Sequence, residues 1–250
     1  MITRDKSDLR KRLWAPYDSV KSVLNLNDLS EDQKKALEES IVMDLIGEEP
    51  KLPVPYRRIS KSTTHLNYAI IYLYSSIGRF ATYRTMFRHY PWRGKLSKSD
   101  HIQSTYYLFV HECYILEERL KGYFRAVESF VKEQNMDIDT KSISKKIMKL
   151  QSQAFRSAIR MRGVHVHQDD VLPGDIKRLV LFDLLLLPEQ KDKKLRNVLG
   201  MLQRFALRDT KKNWMQQCDY AETASQTIVA LAFDATMLVW KRLAEINKIK

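Results

Sequence analysis

The sequence predicts an all-α fold, an antiparallel helical bundle with additional N- and C-terminal helices, and three observations lead to it. Apolar residues recur at three- and four-residue spacing through most of the chain, the repeat of one helix face. Only seven glycines and seven prolines occur in 250 residues. Turns are therefore few, whereas an all-β fold needs a turn signal about every 8–12 residues. The balance of 44% apolar and 29% charged residues fits a packed core with solvated helix faces rather than a disordered chain.

Taken in order, residues 1–60 predict an N-terminal helical arm, separate from a bundle domain over 61–250. Ser30-Glu-Asp-Gln33 reads as a capping-box start, with a hydroxyl to cap the helix and acidic residues in its first turn. Ala36, Ile41, Leu45 and Ile46 share one side of that helix, and Gly47 ends it. Pro50, Pro53 and Pro55 then force an extended connector, because each proline disfavours helix in the residue before it.

A long helix is predicted from about Ser62 to Arg88, with Leu66, Ile70, Leu73, Ile77, Phe80 and Phe87 at helical spacing. Pro91-Trp-Arg-Gly94 stops it. Ser97 or Ser99 opens the next helix, which runs to near Asn135 and carries Phe109, Cys113, Leu116, Leu120 and Phe124. A short polar loop between two long helices predicts an antiparallel pair. Asp139 or Thr140 caps a third helix reaching Arg162. On its wheel Ile143, Ile147, Leu150, Ala154, Ala158 and Met161 face the core, and Lys145, Lys149, Arg156 and Arg160 face the other way. Gly163 ends it, and Pro173 and Asp175 open a helix to Leu187, which Pro188 breaks. Helical sequence resumes over Glu189–Asp209, with Gly200 as an irregularity that leaves a helix-turn-helix open within 195–210. A last helix spans Lys212–Ile246. No internal repeat and no sustained heptad is present.

The net charge of +13 points to a polyanionic partner, with nucleic acid favoured over membrane. Cys113 and Cys218 lie in apolar helical surroundings and form no Cys-x-x-Cys pair, which suits a reducing compartment and argues against thiolate zinc. The opening MITRDKSDLRKR predicts no secretory signal, and the apolar runs are too short to span a bilayer. A cytoplasmic protein with no membrane association is the expectation. Walker A, Gly-x-Gly-x-x-Gly and Gly-x-Ser-x-Gly patterns are absent, which disfavours P-loop, Rossmann and α/β-hydrolase chemistry.

The most chemically suggestive stretch is Arg160-Met-Arg-Gly-Val-His-Val-His167, where two of six histidines fall within three residues. Histidine titrates near neutrality and serves as acid or base. Arginine keeps its charge and grips phosphate oxygens through a planar fork. A metal reading of His165-Val-His-Gln-Asp169-Asp170 is similar to the His-x-His-x-Asp-His signature of metallo-β-lactamase hydrolases. The final histidine is Asp170 here, and the strand-rich sandwich of that fold has no place in this chain.

Arginine followed by histidine after four to six residues, at the end of a helix in a small helical bundle, resembles the HEPN family. Arg160-x4-His165, Arg160-x6-His167 and Arg162-x4-His167 all meet the spacing. The likeness covers about residues 62–245 in architecture and about ten residues in motif. It implies a metal-independent endoribonuclease needing no cofactor, with Arg162 and His167 as the catalytic pair and Arg160 and His165 as the alternative. It further implies a homodimer that pairs two motifs, RNA as substrate, and an antitoxin or other regulatory protein as partner, plausible in microbial defence or stress. Met161 and Gly163 stand where catalytic members carry Asn, Asp or His after the arginine, and the family also holds RNA-binding and scaffolding members.

Lys145, Lys149 and Arg156 are the predicted RNA-backbone contacts. Glu112, Glu117 and Glu118 are expected to face solvent, with Glu118 the choice for a carboxylate that orients a motif arginine. His111 is expected as a hydrogen-bonded core residue. Tyr68, Tyr72, Tyr74, Tyr83, Tyr106, Tyr107 and Tyr114 are expected mostly in core and rim packing, with one or two free to stack on bases. The alternative to an RNA-cleaving protein is a non-catalytic helical adaptor that binds nucleic acid or an acidic protein through its basic surface.

Overall fold

Helix caps written in the sequence set the element boundaries. The computed structural model describes residues 12–13, 61–90, 97–156, 158, 172–186 and 192–248. Among them are six helices and no strand: α1 (Lys61–Arg88), α2 (Lys98–Glu133), α3 (Thr140–Ala154), α4 (Gly174–Leu185), α5 (Lys193–Ala235) and α6 (Met237–Lys248). The fold is all-α. None of these helices is long and apolar enough to cross a membrane.

Ser97 opens α2 with a reciprocal capping box. Its hydroxyl accepts from the Asp100 N–H at 3.1 Å, and the Asp100 carboxylate accepts from the Ser97 N–H at 3.3 Å. At the other end Asn135 takes the left-handed conformation with φ 50°. The Asn135 N–H then reaches the Lys132 carbonyl, and the Met136 N–H the Val131 carbonyl. That is a Schellman closure, for which asparagine is the usual substitute for glycine. Asp139 caps α3 through the Ser142 N–H at 3.0 Å. Asp192 caps α5 through the N–H groups of Lys194 and Leu195.

Contacts divide the chain into two compact units. One comprises Met1–Tyr72, Lys121–Lys145 and Val229–Lys250, and the other Leu73–Leu120 and Lys146–Ile228. In the second unit α1 and α2 run antiparallel: Arg119 reaches Ser75 and Ser76, Arg79 reaches Glu112, and His101 reaches the Met86 carbonyl. Helix α5 is also antiparallel to α1, since Arg84 pairs with Asp219 and Phe87 stacks on Trp214. Helix α4 lies antiparallel to α5, through Asp175 to Asn213 and Asp183 to Gln203. The core of this unit includes Phe80, Phe87, Ile102, Cys113, Leu116, Ile176 and Cys218, all fully buried or nearly so.

In the first unit Leu66, Ile70, Val127, Phe130, Val229, Phe233 and Leu243 are buried. Tyr123 packs edge-on against Phe233 at 5.6 Å, and Ser62 hydrogen-bonds Glu133.

Helix α5 corrects the expected break between Asp209 and Lys212. It is continuous over 43 residues, because that stretch contains no glycine or proline and weak propensity yields to packing. Thr210 is buried there, and Lys211 Nζ reaches the Arg88 carbonyl. Gly200 lies inside the same helix, so residues 195–210 form no helix-turn-helix. The break falls instead at Thr236, whose hydroxyl donates to the Ala232 carbonyl at 2.8 Å while the Trp240 indole N–H donates to the Phe233 carbonyl at 3.1 Å. Side-chain donors that back-bond to helix carbonyls bend a helix at that point.

The buried Tyr123 hydroxyl completes the junction by donating to Thr236 Oγ1. Thr236→Ala strands that hydroxyl and is expected to cost about 1–3 kcal/mol. Tyr123→Phe in the Thr236→Ala background removes the stranded group and should recover part of the loss in urea unfolding.

Candidate functional site

Helix α3 positions the basic residues expected to meet RNA. Its buried line is Thr140, Ile147 and Gln151, continued by Phe155 just beyond the helix. Lys145 and Lys149 fall on the opposite side at 100° per residue, Arg156 follows just beyond the helix, and all three are exposed. Leu150, expected in the core, is 42% exposed. The buried line steps by four residues (147, 151, 155), and Leu150 lies well to one side of it. Within the second unit Phe155 stacks on Phe80 of α1 at 5.9 Å with 17° between the rings.

Arg160, Arg162, His165 and His167 lie outside the described residues, as does the predicted run of α3 from 159 to Arg162. Glu118, the expected orienting carboxylate, is half-buried on α2.

The buried carboxylate of α2 is Glu112, expected at the surface and in fact 1% exposed. Its Oε2 accepts from Arg79 Nη1 at 3.1 Å and from the Tyr83 hydroxyl at 3.4 Å. Its Oε1 has no hydrogen-bond partner among the described residues. Burial, with the Glu112 charge beside it, pushes the Tyr83 phenol up to about 12, so it remains a donor across neutral pH. A signal for this was available: Glu112 is three residues after Phe109 and four before Leu116, both buried. His111 is displaced from that line, so it is exposed rather than core, with its ring stacked on Tyr114 at 6.5 Å.

Removing Arg79 would leave a buried charge with only a phenol donor. Breaking a buried pair costs about 3–5 kcal/mol, and Arg79 is itself 45% exposed, so water takes up part of its place. Arg79→Met is therefore expected to destabilise by about 2–3 kcal/mol. Glu112→Leu in that background should restore most of the loss, as read by a double-mutant cycle in urea.

Of the tyrosines expected to pack, Tyr106 is buried and Tyr68 and Tyr72 are not, being 50% and 54% exposed. Their rings stack at 6.4 Å and 23°, a geometry that leaves aromatic surface available to a base. Cys113 and Cys218 are free and buried. Burial raises both thiols, Cys218 to about 12, so neither supplies a thiolate at neutral pH.

No family model, no curated protein and no solved structure matches this chain.

Proposed function

We propose that this protein is HEPN-like and acts on RNA, as a metal-independent endoribonuclease working as a homodimer. The observation that carries the reading is the exposure of Lys145 and Lys149 on α3 and of Arg156 just beyond it, a basic run that leads in sequence into Arg160-Met-Arg-Gly-Val-His-Val-His167. Cations four and seven residues apart match the phosphate-tracking role, and neutralised phosphates supply most of the affinity for a nucleic-acid backbone.

In the proposed reaction a ribose 2′-oxygen attacks the adjacent phosphorus and the bond from phosphorus to the 5′-oxygen breaks. The products are a 2′,3′-cyclic phosphate and a free 5′-hydroxyl. One histidine takes the 2′-hydroxyl proton and a second, from the other motif of the dimer, gives a proton to the leaving oxygen. Arg162 holds the non-bridging oxygens as negative charge builds on them. His167 is its catalytic partner, with Arg160 and His165 as the alternative pair. Glu118 is the proposed orienting carboxylate.

The test is incubation of the purified full chain with end-labelled RNA in excess EDTA. Products ending in cyclic phosphate support the proposal. Binding without cleavage favours the non-catalytic adaptor, and activity that needs added zinc or manganese favours a metal site.

A further inference from the structure

The first part of α5 presents an apolar stripe to solvent. Leu195, Val198, Met201, Leu202 and Phe205 are 43%, 50%, 44%, 43% and 49% exposed. Each would ordinarily gain from being covered, and exposed apolar residues gathered on one face mark interaction sites more often than scattered ones do. Leu195, Val198, Leu202 and Phe205 alternate steps of three and four residues. That spacing forms the seam of two packed helices, whereas contact with a lipid surface does not require it.

The flank of the stripe has one sign of charge. At 100° per residue Lys194 and Arg208 border the stripe and both are exposed; residues 193–208 contain no Asp or Glu, and Asp209 just beyond them pairs with Arg208 at 3.5 Å. Arg208 sits over the Phe205 ring at 5.3 Å, so charge and apolar surface meet at the stripe's edge. A second copy of this chain would bring the same basic flank against itself, on a protein already at +13, and like charges facing each other oppose docking.

From the stripe and its flank we infer that the first part of α5 is the docking face for an acidic amphipathic helix of a partner protein. The partner's apolar seam lies along Leu195, Val198, Leu202 and Phe205, and its carboxylates face Lys194 and Arg208. This is helix-in-groove recognition read from i, i+3, i+7 anchors, with charge setting the choice of partner.

The probe is a fluorescein-labelled synthetic helix of three heptads, with leucine at the two seam positions and glutamate at the flanking ones. A second peptide carries lysine in place of each glutamate. Titrated with the full chain at physiological salt, the glutamate peptide is expected to bind at micromolar concentration and the lysine peptide at least tenfold more weakly. Leu202→Glu should weaken the glutamate peptide by at least tenfold without shifting the thermal midpoint, because the site is already exposed. The double variant Lys194→Glu, Arg208→Glu should reverse the preference toward the lysine peptide. Equal binding of both peptides, or a glutamate peptide indifferent to Leu202→Glu, overturns the inference. So does a native dimer in sedimentation that Leu202→Glu converts to monomer, which would assign the stripe to a second copy. Capture of the chain by phosphatidylserine vesicles, lost in Leu202→Glu while neither peptide binds, would assign it to a membrane.

Discussion

His167→Ala is expected to lower RNA cleavage by roughly 10²–10⁴-fold, the range for removal of a positioned general acid or base, while RNA affinity changes little. The asymmetry follows from what the side chain supplies. Imidazole moves a proton in the transition state, whereas binding rests on phosphate contacts from arginine and lysine. Arg162→Ala should lower both, and Arg162→Lys should restore affinity more than rate, because an ammonium lacks the planar fork that spans two phosphate oxygens. With histidines as base and acid, the pH profile should be bell-shaped near neutrality: the base is lost as pH falls and the acid as pH rises. If His165→Ala abolishes cleavage and His167→Ala does not, the active pair is Arg160 and His165. Cleavage at the parental rate in both variants would falsify the assignment of the cluster.

How far the fold was legible depended on the range of the interaction that set each feature. The boundaries of α1 and α2 were readable to within about two residues because their signals are local: the Ser97–Asp100 box and Asn135 each act across one turn. The continuity of α5 through Asp209–Lys212 was not readable, since Thr210 and Lys211 are fixed by packing rather than by their neighbours in sequence. Nor was the break at Thr236, which depends on Tyr123, 113 residues away. The burial of Glu112 rests on Arg79, 33 residues before it. Its place on the apolar line of α2 was the local hint, and the rule that charged side chains face solvent outweighed it. The basic face of α3 was legible because a helix with one buried line has its opposite side fixed by geometry. That same geometry moved Leu150 out of the core once the line proved to run through Gln151 and Phe155. For the candidate site, sequence supplied the proposed cluster at Arg160–His167 and the cations leading to it. It did not single out Glu112, or Tyr68 and Tyr72 as the exposed rings.

Phe80→Ala is expected to be among the most damaging single changes to stability. Phe80 is fully buried, its ring edge-on to Phe109 at 5.8 Å and stacked on Phe155 at 5.9 Å, so one side chain ties α1 to α2 and to the end of α3. Truncation removes the transfer free energy of the ring and leaves a cavity that three helices cannot readily close, together about 3–5 kcal/mol. For a chain of this length each kcal/mol lowers the thermal midpoint by about 2–4 °C, giving a fall on the order of 10 °C. Val198→Ala, at a site 50% exposed, is the matched control and should stay within about 0.5 kcal/mol. Phe80→Leu separates volume from ring geometry. It keeps most of the apolar bulk and loses the aromatic contacts, worth about 0.5–1.5 kcal/mol per pair beyond area, so its loss should fall between those of the other two variants. Equal midpoints for Phe80→Ala and Val198→Ala would mean that Phe80, Phe109 and Phe155 do not form a packed cluster. The end of α3 that leads toward Arg160 would then lack its anchor.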